Sequence, residues 1–322
     1  MQNKYRCLIF ICFAFITMTI ISLFIQNSVA TANSLQINNN SSIIVSDPDN
    51  SQSISPGDTK FRIFASFYPV YDFVKKIGMD KVDVSTIIPN GIEPHDFEPT
   101  PKQIIELENA DLIFINGAGF ETWINEITNK NIVDLSKNIT MENPNSNPNP
   151  HIWLDPILVE SMVEVIYDKL ASLDPNNTEY YQKNLKEFDK NIQLLDFNIR
   201  NNLTNCTLTD FVAFHDAFGY FAKRYGLTQH AISGVSPEMD INPQKLSESI
   251  KLAEQLGVNI IFSEDNIEPR LSNTIANEIG GRVLILSPIE MITKEEQELK
   301  KDYFSKMYDN LNNLEIALGC KK

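Results

Sequence analysis

An α/β protein of two lobes, each with its own parallel sheet, is predicted by three features of the sequence. Short apolar segments alternate with amphipathic ones from Lys60 to Gly319; the alternation runs twice; and one helical stretch of about 27 residues separates the two runs. Strands that alternate with helices pair in parallel and carry helices on both faces of the sheet.

The first run occupies residues 59–173. FRIFASF is strand-like, YPVYDFVKKIG has helical spacing and stops at Gly78, and VDVSTII is a second strand. TPKQIIELENA opens on Thr-Pro as helices do, and DLIFIN is a third strand. After the polar loop MENPNSNPNP, the segment PILVESMVEVIYDKLASL is helical, with Asp155 placed to cap it and Pro156 at the first helical position.

Asp174-Pro175 opens the separating helix, assigned to residues 174–204. Tyr181, Leu185, Phe188, Ile192, Leu195 and Ile199 recur at threes and fours, so one side packs and the rest is solvated. At its predicted length this helix runs about 40 Å, a stiff spine that favours small lobe shifts over wide closure. The second run, 205–322, repeats the pattern. FVAF, QHAISG, VNIIFSE and RVLILS are strands, and DAFGYFAKRYG, PQKLSESIKLAEQLG and EPRLSNTIANEIG are helices. KEEQELKKDYFSKMYDNLNNLEIALG is expected to close the lobe as one helix.

The N-terminal segments differ. Lys4 and Arg6 precede an apolar run from Cys7 to Ile25, followed by Ser28-Val29-Ala30, the layout of an export signal. The apolar run is about 19 residues, long enough to cross a bilayer. Residues 1–30 therefore read as a signal peptide or as a retained membrane anchor. Cys12 follows Ile11 where a lipidated cysteine follows a small residue, so lipidation is not expected. Residues 31–58, rich in Asn, Ser, Asp and Pro, read as a disordered tether. Cys206 and Cys320 remain in the folded body; in an oxidising compartment they either pair or stay as two partly buried thiols. A formal charge of -15 argues against nucleic acid as a partner.

Three of the four histidines stand where a strand hands over to a loop or helix. His95 lies in IIPNGIEPHDFEPTP, His215 in FVAFHDAFGYF and His151 in NPHIWLDP. Ligands of open α/β sheets bind outside the carboxyl ends of the strands, so histidines from both lobes can meet in the cleft between them. Three imidazoles and a fourth donor make a tetrahedral site that suits zinc. Glu264 and Asp265 after VNIIFS, and Ser287 and Glu290 after RVLIL, are the fourth-donor candidates. His230, inside a strand, is read as structural.

Taken together these motifs resemble the zinc- and manganese-binding solute receptors of ABC importers, the ZnuA/TroA-like family, from about Phe61 to Cys320. GIEPHDFEPTPKQIIELENADLIFINGAGFE is similar to that family's first-ligand segment, NPHIWLDP to its second, and FVAFHDAFGYFAKRYGL with AISGVSPEMDINPQKL to its third. The resemblance implies two (β/α) lobes joined by one long helix, with His95, His151 and His215 as metal ligands in the interlobe cleft. It implies an extracytoplasmic monomeric receptor that passes Zn2+, or alternatively Mn2+, to an ABC permease and its ATPase subunit. His215 resembles the zinc-type site, since manganese-type members place a carboxylate there. Where the family commonly has an aspartate before the last-strand proline, this chain has Ser287, which leaves the fourth ligand to Glu264, with Glu290 or water as alternatives. The loop before His151 contains no histidine, so no accessory metal-collecting loop is expected.

Two rival readings carry different expectations. An exported three-histidine zinc hydrolase would need an open coordination position and a base such as Glu264 or Asp216. A metal-binding adhesin would have no permease. No nucleophile motif is visible, and the receptor reading predicts that the protein is not an enzyme.

Overall fold

Each strand that is buried on both faces comes from an uninterrupted apolar run, and each helix from a stretch apolar on one side. The structure, a computed structural model, describes residues 61–141, 148–235, 243–265 and 269–321. The export segment and tether (1–30 and 31–58) lie outside the described residues. Among the described residues no helix is long and apolar enough to cross a membrane.

The first lobe contains β1 (Phe61–Ala65), α1 (Tyr68–Gly78), β2 (Val82–Thr86), α2 (Pro101–Glu108), β3 (Leu112–Ile115) and β4 (Ile132–Asp134). Its strands are all parallel, in the order β2-β1-β3-β4. All four residues of β3 are buried, as the run LIFI requires in the middle of a covered sheet. The three-residue β4 was not anticipated; its Ile-Val-Asp is too short to stand out from the Asn- and Lys-containing segment around it. The last residue of α1 is Gly78, where a Cβ would collide with Val82 at the start of β2.

Two helices connect the lobes. In α3 (Pro156–Leu173) the Asp155 carboxylate accepts from the backbone N–H groups of Ile157 and Leu158, the cap expected from sequence. α4 (Thr178–Leu203) is the long separating helix, and Tyr181, Phe188, Ile192, Leu195 and Ile199 form its buried side.

The second lobe repeats the first. It contains β5 (Asp210–Ala213), α5 (Gly219–Tyr225), β6 (Thr228–Ala231), α6 (Pro243–Leu256), β7 (Ile260–Ser263), α7 (Arg270–Glu278) and β8 (Arg282–Ile285). Its parallel strands are ordered β6-β5-β7-β8. The closing segment is two helices rather than the one expected, α8 (Lys294–Glu298) and α9 (Tyr303–Leu318). The break has two causes: Lys300 takes a left-handed φ of 55°, and Asp302 starts a new capping box with Ser305.

In both sheets the lobe's first strand lies between its two successors. The crossovers therefore leave in opposite directions between β1 and β3 and between β5 and β7, and this opens a crevice at the carboxyl ends. One hydrophobic core runs through both lobes. In it Phe73 of α1 meets Phe188 of α4 at 5.8 Å and Tyr303 of α9 at 5.0 Å between ring centroids. The Tyr303 hydroxyl donates to the Trp153 carbonyl, and the Trp153 indole N–H donates to the Pro288 carbonyl at 2.7 Å. Smaller clusters around Ile113 and Ile261 fill the outer faces of the two sheets.

Candidate metal centre

His95 lies on the loop between β2 and α2. The loop is tied at both ends. Ile87 and Ile88 continue the backbone bonding of β2 onto Ala65 and Ser66, and the Gln103 amide of the Thr100 capping box donates to the Ile87 carbonyl. The His95 ring sets its edge against Phe120, at 5.0 Å between centroids.

His151 is completely buried, one residue before the turn that leads into the Asp155 cap. Asn116 and Asn149 fix it. The Asn116 amide donates to the Pro150 carbonyl, while the backbone N–H groups of Asn116 and Gly117 donate to the buried Glu121 carboxylate. Asn149 Oδ1 lies 2.7 Å from His151 Nδ1, and Asn149 Nδ2 donates across the cleft to the Asp216 carbonyl at 2.6 Å.

His215 lies two residues beyond β5, where the Gln229 side chain of β6 donates to its carbonyl and accepts from Phe218 N–H. Its Nδ1 is hydrogen-bonded to Glu264, just past β7, so these two residues straddle the β5/β7 crevice. Glu290 follows β8 and is buried.

The structure brings His95, His151, His215 and Glu290 together, with one ligand atom of each within 4.8 Å of all the others. Glu290 Oε1 is 3.3 Å from His95 Nε2, 3.1 Å from His151 Nε2 and 3.7 Å from His215 Nε2. The Nε2 atoms of His151 and His215 are 3.3 Å apart. Donors at about 2.0–2.1 Å around a tetrahedral zinc ion lie about 3.3 Å from one another. Four of the six donor separations, 3.1–3.7 Å, are thus close to that edge length, and all lie within 4.8 Å.

Electrostatics explains why a cation belongs there. Burial, opposed by the nearby Glu290 carboxylate, brings the His151 imidazole down to about 3, so the ring is neutral. A neutral ring has one N–H, and Asn149 Oδ1 takes it, because Asn149 Nδ2 is already committed to Asp216. The lone pair on His151 Nε2 therefore points at a carboxylate oxygen and a second imidazole nitrogen. Burial alone would push Glu290 up, but the imidazoles that face it, His215 with its charge among them, outweigh it and hold the carboxyl well below its usual range. His215 runs the other way: burial lowers it, yet the Glu264 hydrogen bond and the nearby carboxylates push it up to about 8. Among the described residues, Oε2 of Glu290 and Oε2 of Glu264 are buried without a hydrogen-bond partner. Converging donor atoms with buried carboxylate oxygens that lack a hydrogen-bond partner form an arrangement that a bound cation would satisfy.

The family model described as the periplasmic component A of a zinc-uptake complex, ZnuA, matches residues 63–317. The chain belongs to the ZnuA family. It is 34% identical over 288 residues to the high-affinity zinc uptake system protein ZnuA of Bacillus subtilis, covering 83% of this chain and 90% of that one. The laminin-binding protein Lmb of Streptococcus agalactiae, described as bifunctional with adhesin and metal-transporting activity, superposes with a TM-score of 0.75 at 32% identity. That match covers 80% of this chain and 99% of Lmb. The Zn(II)-bound ZnuA-like domain of Streptococcus pneumoniae AdcA gives a TM-score of 0.73 at 31% identity, covering 80% of this chain and 99% of that domain. The chain spans 56% of the whole zinc-binding lipoprotein AdcA of that organism.

Within this ZnuA-family fold the remaining candidates are elsewhere. Glu264 contacts the far ring nitrogen of His215 and not the cluster of Nε2 atoms. Asp265 and Ser287 bond to each other beside Lys306, and Asp216 is outside the cluster of ligand atoms. His230 pairs with Asp210 at 2.8 Å, away from the site. Cys206 and Cys320 are joined as a disulfide. Asn149, Glu121 and Lys306 were missed from sequence. Asn149 sits in a run of Asn and Pro with nothing to single it out, Glu121 turns back onto the nearby loop backbone of Asn116 and Gly117, and Lys306 acts through Asp265, distant in the chain.

Proposed function

We propose that this ZnuA-family chain is an extracytoplasmic receptor that captures Zn2+ through His95, His151, His215 and Glu290 and delivers it to an ABC permease and its ATPase. The observation that carries the reading is the convergence of four donor atoms, three of them on buried residues, within 4.8 Å of one another. Glu264 is the orienting partner of His215: by accepting from Nδ1–H it leaves Nε2 free for the ion, as outer carboxylates do for zinc-bound histidines. Zinc is favoured over manganese because three imidazoles and one carboxylate suit the borderline ion better than the harder one.

Residues 1–30 export the chain and either leave it or anchor it to the membrane, and 31–58 tether the folded body, which works as a monomer of two lobes, 59–173 and 205–322, joined by 174–204. A fourth protein ligand closes the coordination sphere, where a hydrolytic site keeps a position open for water, so binding without turnover is the activity proposed. The likeness to Lmb supports an adhesin role as a second reading, compatible with metal capture.

Calorimetric titration with Zn2+ tests the assignment. His95→Ala, His151→Ala, His215→Ala and Glu290→Ala should each weaken binding by roughly tenfold or more, as loss of a buried ligand does. Parental affinity in any of the three histidine variants would falsify the site, and metal-dependent ester hydrolysis would favour the enzyme reading instead.

A further inference from the structure

The segment that delivers Glu290 is under backbone strain. Ile289, β-branched and fully buried, has a left-handed φ of 60°, a conformation such residues avoid. A strained residue persists only where its surroundings over-determine it, and such residues gather at functional sites. The restraints around this one can be named. Ile289 N–H donates to the Ser287 hydroxyl at 3.1 Å, and that hydroxyl donates to Asp265 Oδ2 at 2.8 Å. The same oxygen accepts from the buried Lys306 ammonium at 2.6 Å, which also pairs with Glu296 at 2.6 Å. Asn310 of α9 grips the backbone of Ser287 twice, accepting from its N–H at 2.8 Å and donating to its carbonyl at 2.7 Å.

We propose that Ser287, Asp265 and Lys306 are positioning residues for metal capture: they hold Ile289 left-handed and thereby aim the Glu290 carboxylate at the three imidazoles. The inference rests on Glu290 being a ligand, as argued above. The Ser287 hydroxyl is the junction, because it has one proton and uses it on Asp265 while its lone pair receives Ile289 N–H. Lys306 pairs with Asp265 and fixes it, and Asp265 directly follows Glu264, the partner of His215. The brace therefore sets both carboxylates of the second lobe from one buried cation. Without the hydroxyl, Ile289 N–H loses its acceptor and the residue can relax to an ordinary φ, which turns Glu290 out of the cluster.

A double-mutant cycle with zinc affinity as the readout, measured by competition with a chelator on the full exported chain, tests this. Ser287→Ala should weaken zinc binding roughly 10- to 100-fold, the range for loss of an outer partner of a metal ligand. In a Glu290→Gln background the same change should cost less than about twofold, because its effect passes through that carboxylate. Asp265→Asn keeps the shape, leaves Lys306 paired with Glu296, and should follow the same pattern at smaller amplitude; it stands in if Ser287→Ala does not fold. Equal losses in the two backgrounds, or parental affinity in both single variants, overturn the brace. If Glu290→Gln alone leaves affinity unchanged, the ligand assignment fails instead and the brace falls with it.

Discussion

The Cys206–Cys320 disulfide should stabilise the fold without contributing to metal affinity. Cys206 follows the end of α4 and Cys320 follows the Gly319 cap of α9, so the cross-link closes a loop with a sequence separation of 114 that contains all of the second lobe's sheet. Loop-closure entropy for that length amounts to about 5 kcal/mol at 25 °C, an upper bound on the gain. In the folded protein the two segments are already joined by other bonds. Thr207 and Leu208 N–H donate to the Leu318 carbonyl at 2.9 and 3.0 Å, the Thr207 hydroxyl donates to Gly319, and Lys321 N–H donates to Asn205. Opening the disulfide should therefore leave native geometry in place and act on the unfolded chain. For a body of this size 5 kcal/mol corresponds to a fall in Tm of roughly 10–20 °C. Calorimetric melts of the oxidised protein, the reduced protein and the Cys206→Ser/Cys320→Ser variant, each with a zinc titration, measure both quantities. A Tm unchanged on reduction refutes the stabilising role. A loss of zinc affinity in step with Tm refutes the separation of cross-link from site.

Three further outcomes are expected. With His215 pushed up to about 8 in the ion-free protein, zinc must expel its proton at pH 7, so Kd should weaken about tenfold for each unit of pH below 8; a flat profile from pH 8 to 6 refutes this. Asn149→Ala removes the acceptor on His151 Nδ1 and the tie to Asp216, and should weaken zinc binding roughly 10- to 100-fold, with Asn149→Asp recovering part of the loss. Asp72, raised to about 6 chiefly by burial, favours the folded state below the ordinary carboxylate pKa and loses that advantage as pH rises through 6. Asp72→Asn should accordingly raise stability at pH 7 by up to about 3 kcal/mol and change little at pH 4, as denaturant melts at the two pH values will show.

The architecture was legible because it is written in local periodicity. Short apolar runs such as LIFI and IIFS, bounded by polar segments and rich in β-branched and aromatic residues, read as covered strands, and the threes and fours from Tyr181 to Ile199 read as one packed helix side. The histidines were legible because each stands at a strand end or a helix entry, and their residue type limits what they can do there. The role of the carboxylates was not legible. Glu264 and Glu290 both follow a strand of the second lobe, and nothing in the chain says which side of the His215 ring each will reach. That depends on Ile289 turning left-handed, which no side-chain pattern encodes, and on Asn310 and Lys306 arriving from α9 to hold the turn. The break between α8 and α9 was hidden for a related reason. Lys300 adopts a positive φ in a segment whose composition is entirely helical.

The ligands of the first lobe and those of the second are connected through more than the ion. Asn149 bonds to His151 and reaches over to Asp216, Trp153 donates to Pro288 two residues before Glu290, and Tyr303 returns a bond to the Trp153 carbonyl. Wide opening of the lobes would break the Asn149–Asp216, Trp153–Pro288 and Tyr303–Trp153 bonds and expose part of the shared core, a cost far above that of rotating one carboxylate. Moving the strap from Ser287 to Glu290 would instead break only its local brace, and Ile289 is already held at a left-handed φ. A receptor built this way can hold the ion in a buried tetrahedron and still let it go by moving four residues, with the interlobe core intact throughout.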